Sequence, residues 1–458
     1  MALPTDFYTP SKLSDTITVT RVDGGYLFEV RNKEPQFISD STIASGGSTL
    51  ADFFLNNSEG IPIRWQDTGN VDAFGRARVS QVTTQYDSKQ LYDKLPLFVD
   101  EVTSGTATAT HSTTLAQTAL ATSAGSDYVV MQTKQRFNYQ SGKSQLIFWT
   151  FNSMGNQAGV TKRVGYFSSS TVAPYTADLD GIFLQSNGTD LSVNIYRTGT
   201  ATASVNRSSW DDPLDGTGAS GVTHDFDNNT ILAVDFEWLG VGRVRFYIIK
   251  NGAFIPFHYE DFTDTTSVYM SSPNKPLRWE LRQNDVTTGS LNFVCSSVNS
   301  EGSINQIGKL FSDNLGTAFV NAGSTATKYA VLGIRLNSVN IGTLVDVLTL
   351  SLLSATNDNV LWEVWLNPTV AGTFTYSSVT NSGVQIAKGA TNGSNTVTSG
   401  TLLDSGYLVS SSSVRLSIEN AIRLGMSIAG TLDEIVLTAN PLSTNLDIYG
   451  AITWRELI

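Results

Sequence analysis

Apolar and polar residues alternate between Ile231 and Glu260, and turn-forming residues interrupt this alternation twice. A period of two residues is typical of half-buried β-strands, so the segment predicts an antiparallel meander of three strands. We predict a three-residue loop at residues 240–242, with Gly242 in the left-handed conformation. Such a loop places Phe236 opposite Phe246.

The second turn of the meander is Asn251-Gly252, which is a strong signal for a two-residue hairpin loop of type I′. The two loops together predict these cross-strand pairs: Phe246 with Phe257, Ile248 with Ile255, Glu237 with Arg245, Arg245 with His258, and Arg243 with Glu260. One face of the meander is then entirely apolar. We therefore expect that face to lie in a core, with the three phenylalanines side by side.

The other face of the meander carries acidic, basic and histidine side chains. Asp235 and Glu237 as paired carboxylates, with His258 as a base, have the residue types of acid–base catalysis. Cross-strand charge pairing explains the same residues, with each pair contributing only ~0.2–1 kcal/mol. Most of these charges have a predicted partner, whereas catalysis needs a group with a perturbed environment. We therefore interpret the meander as scaffold.

Short segments of strand-like composition recur along the rest of the chain, separated by Gly, Asn, Asp or Pro. Strands at this spacing are typical of a sandwich or a jelly roll. We therefore predict a mostly β protein built from antiparallel jelly-roll or β-sandwich domains. The predicted strands outside the meander are residues 128–134, 144–151, 162–168, 181–185, 191–197, 277–282, 329–336, 343–353, 361–366, 373–378, 414–418, 434–439 and 447–455.

The chain is too long for a single core, and we predict three regions. Residues 1–101 form an N-terminal β element, with a hairpin around Asp23-Gly24-Gly25, and an extended segment. Residues 102–300 form a jelly-roll sandwich. Residues 301–458 form a second sandwich, in which one strand directs Trp362 and Trp365 to opposite faces.

Residues 61–101 mix charged and aromatic side chains without a clear period, which indicates an extended segment that docks on a neighbour. The candidate assembly-interface residues are Arg64, Trp65, Asp72, Phe74, Arg76, Arg78 and Tyr86. Ordinary surface charge explains Arg64, Asp72, Arg76 and Arg78 equally well. The glycine spacing around Gly75 does not match a phosphate-binding loop.

Composition narrows the classes of function. A net charge of −12 argues against a nucleic-acid partner, because lysine and arginine supply most of the affinity for phosphates. The single cysteine, Cys295, excludes an intrachain disulfide and a Cys-based zinc site, and the three histidines are not spaced as a metal-binding pair. The N-terminus lacks a secretory pattern, and no apolar run reaches the ~18 residues of a membrane span. We expect synthesis in a cytoplasm, with no cofactor, metal or membrane insertion.

The longest loop of the central region, residues 207–225, is a candidate ligand site, because ordered loops of this length are commonly functional. Its candidate glycan-binding residues are Trp210, Asp211, Asp212 and Asp215, with Trp210 stacking on a sugar. Acidic side chains here and at Asp178 and Asp180 also suit calcium, although the EF-hand spacing is missing. The alternative is a structural loop whose tryptophan is simply buried.

Four stretches resemble a family of virion structural proteins of tailed bacteriophages. They are VDAFGRARVS at residues 71–80, YDSKQ at residues 86–90, SWDDPLDGTGASG at residues 209–221 and DFEWLGVGRVRF at residues 235–246. The resemblance extends over roughly residues 61–282 and weakens towards both ends. It implies a particle component made in the bacterial cytoplasm, with a lectin-like jelly roll and no established catalytic residues.

The resemblance favours a structural virion protein that is anchored through its N-terminal region to other virion proteins. The position in the particle stays open among tail fibre, baseplate, neck and head surface. We expect a homo-oligomer, most simply a trimer. The alternative function is a carbohydrate-binding adhesin that contacts a host glycan through the 207–225 loop or the C-terminal sandwich. A third hypothesis, which we rank below these, is a glycan hydrolase that draws a carboxylate pair from Asp211, Asp212, Asp215, Asp235 and Glu237. We expect no enzyme activity.

Overall fold

The computed structural model describes the backbone of residues 17–22, 25–30 and 36–39, and all of residues 82–170, 177–285, 288–304, 307–417, 423–443 and 445–457. The chain divides into two compact units, residues 1–66 and residues 67–458. The regular secondary structure of the described residues is almost entirely antiparallel β-strand, which confirms the predicted fold class. None of their helices is long and apolar enough to cross a membrane.

The first unit contains a sheet of three antiparallel strands. In this sheet Ile17 pairs with Val30 and Val19 pairs with Phe28, which confirms the predicted N-terminal hairpin. The strands are β1 (Ile17–Val22), β2 (Gly25–Val30) and β3 (Gln36–Ser39).

The first sandwich of the second unit begins at Val82. Its strands are β4 (Val82–Lys89), β5 (Val99–Ser104), β6 (Thr108–Ser112), β7 (Gln117–Thr122), β8 (Tyr128–Thr133), β9 (Gln145–Asn152), β10 (Val160–Ser168), β11 (Asp180–Ser186), β12 (Leu191–Arg197), β13 (Thr200–Asn206), β14 (Thr230–Phe236), β15 (Arg243–Lys250), β16 (Ala253–Asp261), β17 (Leu277–Gln283) and β18 (Gly289–Glu301). A single turn of 3₁₀ helix, Arg207–Ser209, follows β13.

Two sheets form this sandwich. One has the strand order β13-β12-β11-β10-β17-β8-β5, and the other has the order β16-β15-β14-β9-β18-β7-β6 with β4 paired to β18. Alternation on β17 turns Leu277, Trp279 and Leu281 into the core. The ring of Trp279 stacks on that of Phe293 from β18, with a centroid distance of 3.9 Å. Burying a large apolar side chain of this kind stabilises the fold by ~1.5–3 kcal/mol.

The first turn of the meander differs from the prediction. Val234 pairs with Phe246, so the register is shifted by two residues from the predicted pairing of Phe236 with Phe246. Gly240, rather than Gly242, has a positive φ, of 87°. The longer turn is fixed from outside the meander, because Tyr269 donates its backbone N–H to the Gly240 carbonyl and its hydroxyl to the Glu237 carbonyl.

The second turn agrees with the prediction, but the strands beyond it do not. Asn251 and Gly252 both have positive φ, as a type I′ turn requires, and Ile248 pairs with Ile255 as predicted. A bulge then shifts the register, so that Phe246 pairs with His258 and not with Phe257. The same shift corrects the other two predicted pairs, because Arg245 faces Tyr259 and Arg243 faces Asp261.

The bulge has a physical reason, since proline in a sheet is confined to edge strands, strand ends and bulges. Pro256 lies at this bulge, and the extra residue lets Phe257 turn into the core. Phe257 lies 6.1 Å from Phe246, measured between ring centroids. The predicted burial of Phe236, Phe246 and Phe257 in one core is therefore confirmed.

The second sandwich follows after residue 307. Its strands are β19 (Gly308–Asn314), β20 (Val320–Ala322), β21 (Tyr329–Leu336), β22 (Leu344–Ser354), β23 (Val360–Leu366), β24 (Thr369–Val370), β25 (Tyr376–Ser378), β26 (Val384–Lys388), β27 (Val397–Thr398), β28 (Thr401–Leu408), β29 (Ser413–Ser417), β30 (Glu434–Pro441) and β31 (Leu446–Leu457).

In the second sandwich, a sheet of order β25-β26-β21-β30-β23-β28 packs on one of order β19-β31-β22-β29, with β20 paired to β31. Two further strands, β24 and β27, pair only with each other. Trp362 is buried in the core between the sheets and Trp365 is half-buried on the other side of β23, as predicted. The outer face of the first sheet is therefore the face that carries Trp365.

The sandwiches contact one another through the segment that precedes β30. Met426 donates its backbone N–H to the Lys134 carbonyl at 3.1 Å, and Ile428 donates to the Asp100 carboxylate at 2.7 Å. The predicted boundary at residue 101 falls inside β5, and both β4 and β5 pair within the first sandwich. Strand β18, which the sequence analysis did not predict, runs up to the predicted boundary at residue 301.

Candidate functional site

Trp210 belongs to the core of the first sandwich, although the sequence suggested a sugar-stacking role. It is only 4% exposed, and its ring centroid lies 4.5 Å from that of Phe257. Its indole N–H donates to the Val205 carbonyl at 2.9 Å. No ring face is left for a sugar, so the structure corrects this interpretation in favour of the alternative, a loop with a buried tryptophan.

The aspartates beside Trp210 hold the shape of the loop. Asp212 is buried and accepts backbone N–H groups from Leu214 and Ser220 at 2.9 and 2.7 Å. Burial opposes ionisation of Asp212, but a hydrogen bond from the Ser220 side chain together with these backbone hydrogen bonds outweighs it and lowers the pKa of Asp212. Asp215 is exposed and accepts from the backbone and hydroxyl of Thr217, which lowers its pKa as well. Both carboxylates are thus engaged within the loop.

Asp211 ties the loop to β16. Its carboxylate lies 2.8 Å from Nδ1 of His258 and accepts the Tyr259 backbone N–H at 3.2 Å. The other ring nitrogen of His258 lies 3.1 Å from Glu260. The histidine that resembled a general base therefore joins two acidic side chains at the rim of the meander.

The remaining carboxylates of the hydrolase hypothesis also have structural partners. Asp235 forms a buried two-point ion pair with Arg245, with N–O distances of 2.9 and 2.7 Å. Glu237 accepts the backbone N–H of Arg243 at 3.2 Å, so the predicted pairing of Glu237 with Arg245 is wrong. Because the register is shifted by two residues, Arg245 pairs with Asp235 instead of Glu237.

Six of the candidate interface residues, namely Arg64, Trp65, Asp72, Phe74, Arg76 and Arg78, lie outside the described residues. The seventh, Tyr86, lies on β4 and is 8% exposed. Its ring packs 5.2 Å from that of Phe137, and burial raises its pKa to about 12. Tyr86 therefore contributes to the core of this chain rather than to an exposed surface.

The acidic residues considered for calcium are not gathered into a site. Asp180 lies 3.2 Å from the ammonium group of Lys275 and also accepts the Ser271 hydroxyl. Burial lowers the pKa of Lys275 to about 8, although Asp180 favours its charged form. Within the part of the chain that the structure describes, there is no group of three His, Cys, Asp or Glu side chains arranged to hold a metal ion.

A buried charge cluster lies on the outer face of the β13–β5 sheet. Glu280 contacts Arg163, Arg278 and Arg282 at distances of 3.2, 2.6 and 3.5 Å. Burial opposes ionisation of Glu280, but the arginines outweigh it and lower its pKa. A carboxylate that stays ionised is not a proton donor, so we assign the cluster to stability. The sequence Arg-Trp-Glu-Leu-Arg of β17 alternates charged and apolar residues. It indicates the charge cluster only when the neighbouring strands of the sheet are known.

The outer face of the β25–β28 sheet carries a different arrangement, which sequence analysis did not identify. One row across its strands is mostly apolar, and the row beside it is polar. Strand pairing defines the first row as Tyr376, Ala387, Gly333, Val436, Trp365 and Leu402, and the second as Ser378, Gln385, Arg335 and Glu434. The rows combine residues from distant parts of the chain, so no local motif marks them.

An open cleft of about 520 Å³ also lies where Ser272 of the first sandwich meets the second, but no aromatic side chain lines it among the described residues. A smaller open cleft lies on the sheet face that carries the two rows. It has a volume of about 380 Å³ and is lined by Phe374, Tyr376, Arg335 and Glu434. Both aromatic side chains are half-buried. This cleft is the candidate functional site.

Hydrogen bonds fix the polar side chains of the cleft. Glu434 accepts from Arg335 at 3.3 Å and from the Tyr376 hydroxyl at 3.0 Å. Arg335 also donates to Gln385 at 2.9 Å. Burial, and after it the neighbouring Glu434, raises the pKa of Tyr376 well above its ordinary value, so the hydroxyl keeps its proton and donates. The cleft therefore presents aromatic surface beside a pre-oriented guanidinium and carboxylate.

Gly333 makes room for the aromatic wall. A Cβ atom there would lie 2.6 Å from the Tyr376 hydroxyl and 2.7 Å from the ring of Phe374. Phe374 packs against the edge of a small cluster formed by Ala330, Val397 and Val436. The aromatic side chains are thus seated on the sheet rather than projecting freely.

No protein-family model matches this sequence, and no curated protein matches it. Solved structures with a similar course of the chain include a Bacillus licheniformis beta-glucanase, with 12% identity over 48% of this chain and 99% of that chain and a TM-score of 0.31. The carbohydrate recognition domain of Emp47p has 13% identity over 49% and 99%, with a TM-score of 0.30. The VIP36 exoplasmic/lumenal domain, in a Ca²⁺/Man3GlcNAc-bound form, has 11% identity over 49% and 92%, with a TM-score of 0.32. At these TM-scores the similarities say nothing about the ligands or activity of this chain.

Proposed function

We propose that this chain binds a host-surface glycan through the cleft on its C-terminal sandwich. The observation that carries the proposal is the combination of two half-buried aromatic rings with a fixed Arg335–Glu434 pair in one open cleft. A sugar ring offers apolar C–H groups and hydroxyls together. Aromatic faces match the first, and pre-oriented charged groups match the second.

Glycan arrays with the full chain, followed by titration calorimetry on the best ligand, test this proposal. Tyr376→Ala should weaken binding by about tenfold, which corresponds to ~1.4 kcal/mol. Tyr407→Ala is the matched control, because Tyr407 is 74% exposed on the same sheet face and does not line the cleft. Equal binding by both variants and the parent chain contradicts the proposal.

We propose binding without hydrolysis. The five carboxylates of the hydrolase hypothesis hold loops or pair with Arg245, and in the cleft Glu434 is engaged by both Arg335 and Tyr376. General acid catalysis on a glycosidic bond needs a carboxyl group that carries a proton and faces the substrate. Incubation of the chain with a glycan that it binds should release no reducing sugar. Release that Glu434→Gln abolishes contradicts this proposal.

A second proposal concerns the biological context, which is a tailed-bacteriophage particle. It is supported by the four sequence stretches that resemble virion structural proteins and by the separate compact unit at residues 1–66. In this proposal the N-terminal region attaches the chain to other virion proteins, and the chain forms a homotrimer. The position in the particle is a tail, neck, baseplate or head-surface location.

Deletion of residues 1–81 tests the attachment, because it removes six of the seven candidate interface residues. The deletion leaves β4 and β5 in place, which a cut at residue 101 does not. The shortened chain should keep its glycan affinity and fail to enter particles in a complementation assay. Normal incorporation contradicts the attachment proposal, and light scattering of the full chain tests the trimer.

A further inference from the structure

The cleft at Tyr376 has a neighbour on the other side of β25. The second cleft has a volume of about 610 Å³, and Thr375 lines both clefts. Successive side chains of a strand point to opposite sides, and Tyr376 accordingly lines the first cleft while Ser377 lines the second. Ser378, at the end of β25, borders the second cleft as well. Strand β25 is therefore a narrow ridge between two open clefts.

The second cleft lies along the side of the sandwich, between its two sheets. Strand β25 ends one sheet and β19 ends the other. Lys388 on β26 spans the gap and lies 2.8 Å from Asp313 on β19. A ligand that leaves the first cleft over Thr375 thus reaches a second surface without crossing the body of the protein.

The two clefts are lined by similar sets of charged side chains. Among the described residues that line them, each cleft has one cation and one carboxylate, Arg335 with Glu434 in the first and Lys388 with Asp313 in the second. These pairs compensate each other, so neither cleft favours a charged ligand. The other polar groups of the second cleft are hydroxyls, from Thr373, Thr375, Ser377, Ser378 and Thr380.

We infer that the ligand is an extended, uncharged oligosaccharide that crosses the chain at Thr375, immediately before β25, and occupies both clefts. This inference rests on the proposed glycan binding at the Tyr376 cleft and adds the class and length of the ligand. Each cleft has a volume within the ~300–1,000 Å³ of ligand sites, so one sugar does not occupy both clefts at once. A chain of several sugars gains contacts in the second cleft.

Titration calorimetry on the full chain tests the inference with uncharged gluco-, galacto- and manno-oligosaccharides, from disaccharides to octasaccharides. Affinity should rise by about tenfold with length, which is the gain expected from contacts in a second cleft. Ser377→Trp fills the second cleft only, so it should remove this gain and leave disaccharide affinity unchanged. Ser405→Trp is the control, because Ser405 is exposed on β28 and lines neither cleft.

Three results overturn the inference while glycan binding itself stands. They are an affinity that does not depend on length, a gain with length that survives Ser377→Trp, and stronger binding of uronate or sialylated chains than of uncharged chains of equal length. If no glycan is found whose binding is weakened by Tyr376→Ala, the proposed function and this inference are both overturned. The length series and the Tyr376 variant therefore separate the two failures.

Discussion

The guanidinium carbon of Arg335 lies 4.1 Å from the ring centroid of Tyr376, and Glu434 accepts hydrogen bonds from both side chains. A cation over an aromatic face contributes ~0.5–1 kcal/mol at an exposed site. Here its larger effect is geometric, because three side chains from β21, β25 and β30 fix one another. A ligand then meets groups that need little ordering, which lowers the entropic cost of binding.

Gly333→Ala should disturb this arrangement. The added methyl group overlaps the Tyr376 hydroxyl and the Phe374 ring, which costs more than the conformational gain from replacing a strand glycine. We expect a loss of about 1 kcal/mol in the free energy of unfolding and weaker glycan binding. Urea unfolding, with hydrogen exchange in β21 to assign the change to this sandwich, measures the loss.

Gly342→Ala is the matched control for Gly333→Ala. A Cβ atom at Gly342 has no neighbour within 4 Å, so this substitution should leave both stability and binding unchanged. If the two alanine variants are equally stable and bind equally, Gly333 is not needed to seat the aromatic wall.

The turn at Asn251-Gly252 was predictable from sequence because the two residues themselves determine its backbone. The turn at Gly240 was not, because Tyr269, distant in sequence, holds it through two hydrogen bonds. The candidate cleft was hidden for a related reason. Arg335 and Glu434 come together only when β21 pairs with β30, and single-sequence patterns do not reveal which distant strands pair.

Within the meander, Asp235→Ala should be far more destabilising than Asp261→Ala. Asp235 and Arg245 are almost fully buried, with side chains 0% and 2% exposed, so the substitution removes the carboxylate that pairs with a buried guanidinium. The expected cost is ~3–5 kcal/mol. Asp261 pairs with Arg243 at the surface, where an ion pair contributes only ~0–1 kcal/mol. Thermal unfolding of both variants decides the point, and similar losses contradict it.

The Glu280 cluster predicts a pH dependence of stability. The pKa of Glu280 is lowered on folding, because its three arginine partners outweigh burial. A carboxyl group of this kind contributes its stabilisation above its unfolded pKa, near 4.5, and loses it as the pH falls towards the folded pKa. Unfolding free energies of the parent chain and of Glu280→Gln should therefore differ most above about pH 4.5 and converge below it. A constant difference between the two chains contradicts this assignment.

Trp210→Ala separates a structural role of the 207–225 loop from a binding role. The side chain fills the core beside Phe257, so its removal should cost ~3–5 kcal/mol of unfolding free energy. Binding should persist wherever the variant stays folded, because the proposed cleft lies on the other sandwich. Calorimetry measures glycan binding at a temperature where circular dichroism shows that the variant is folded. Tyr92→Ala is the control for the loss of a surface ring, because Tyr92 is 86% exposed. Loss of binding by folded Trp210→Ala, with Tyr376→Ala still binding, moves the glycan site to the loop.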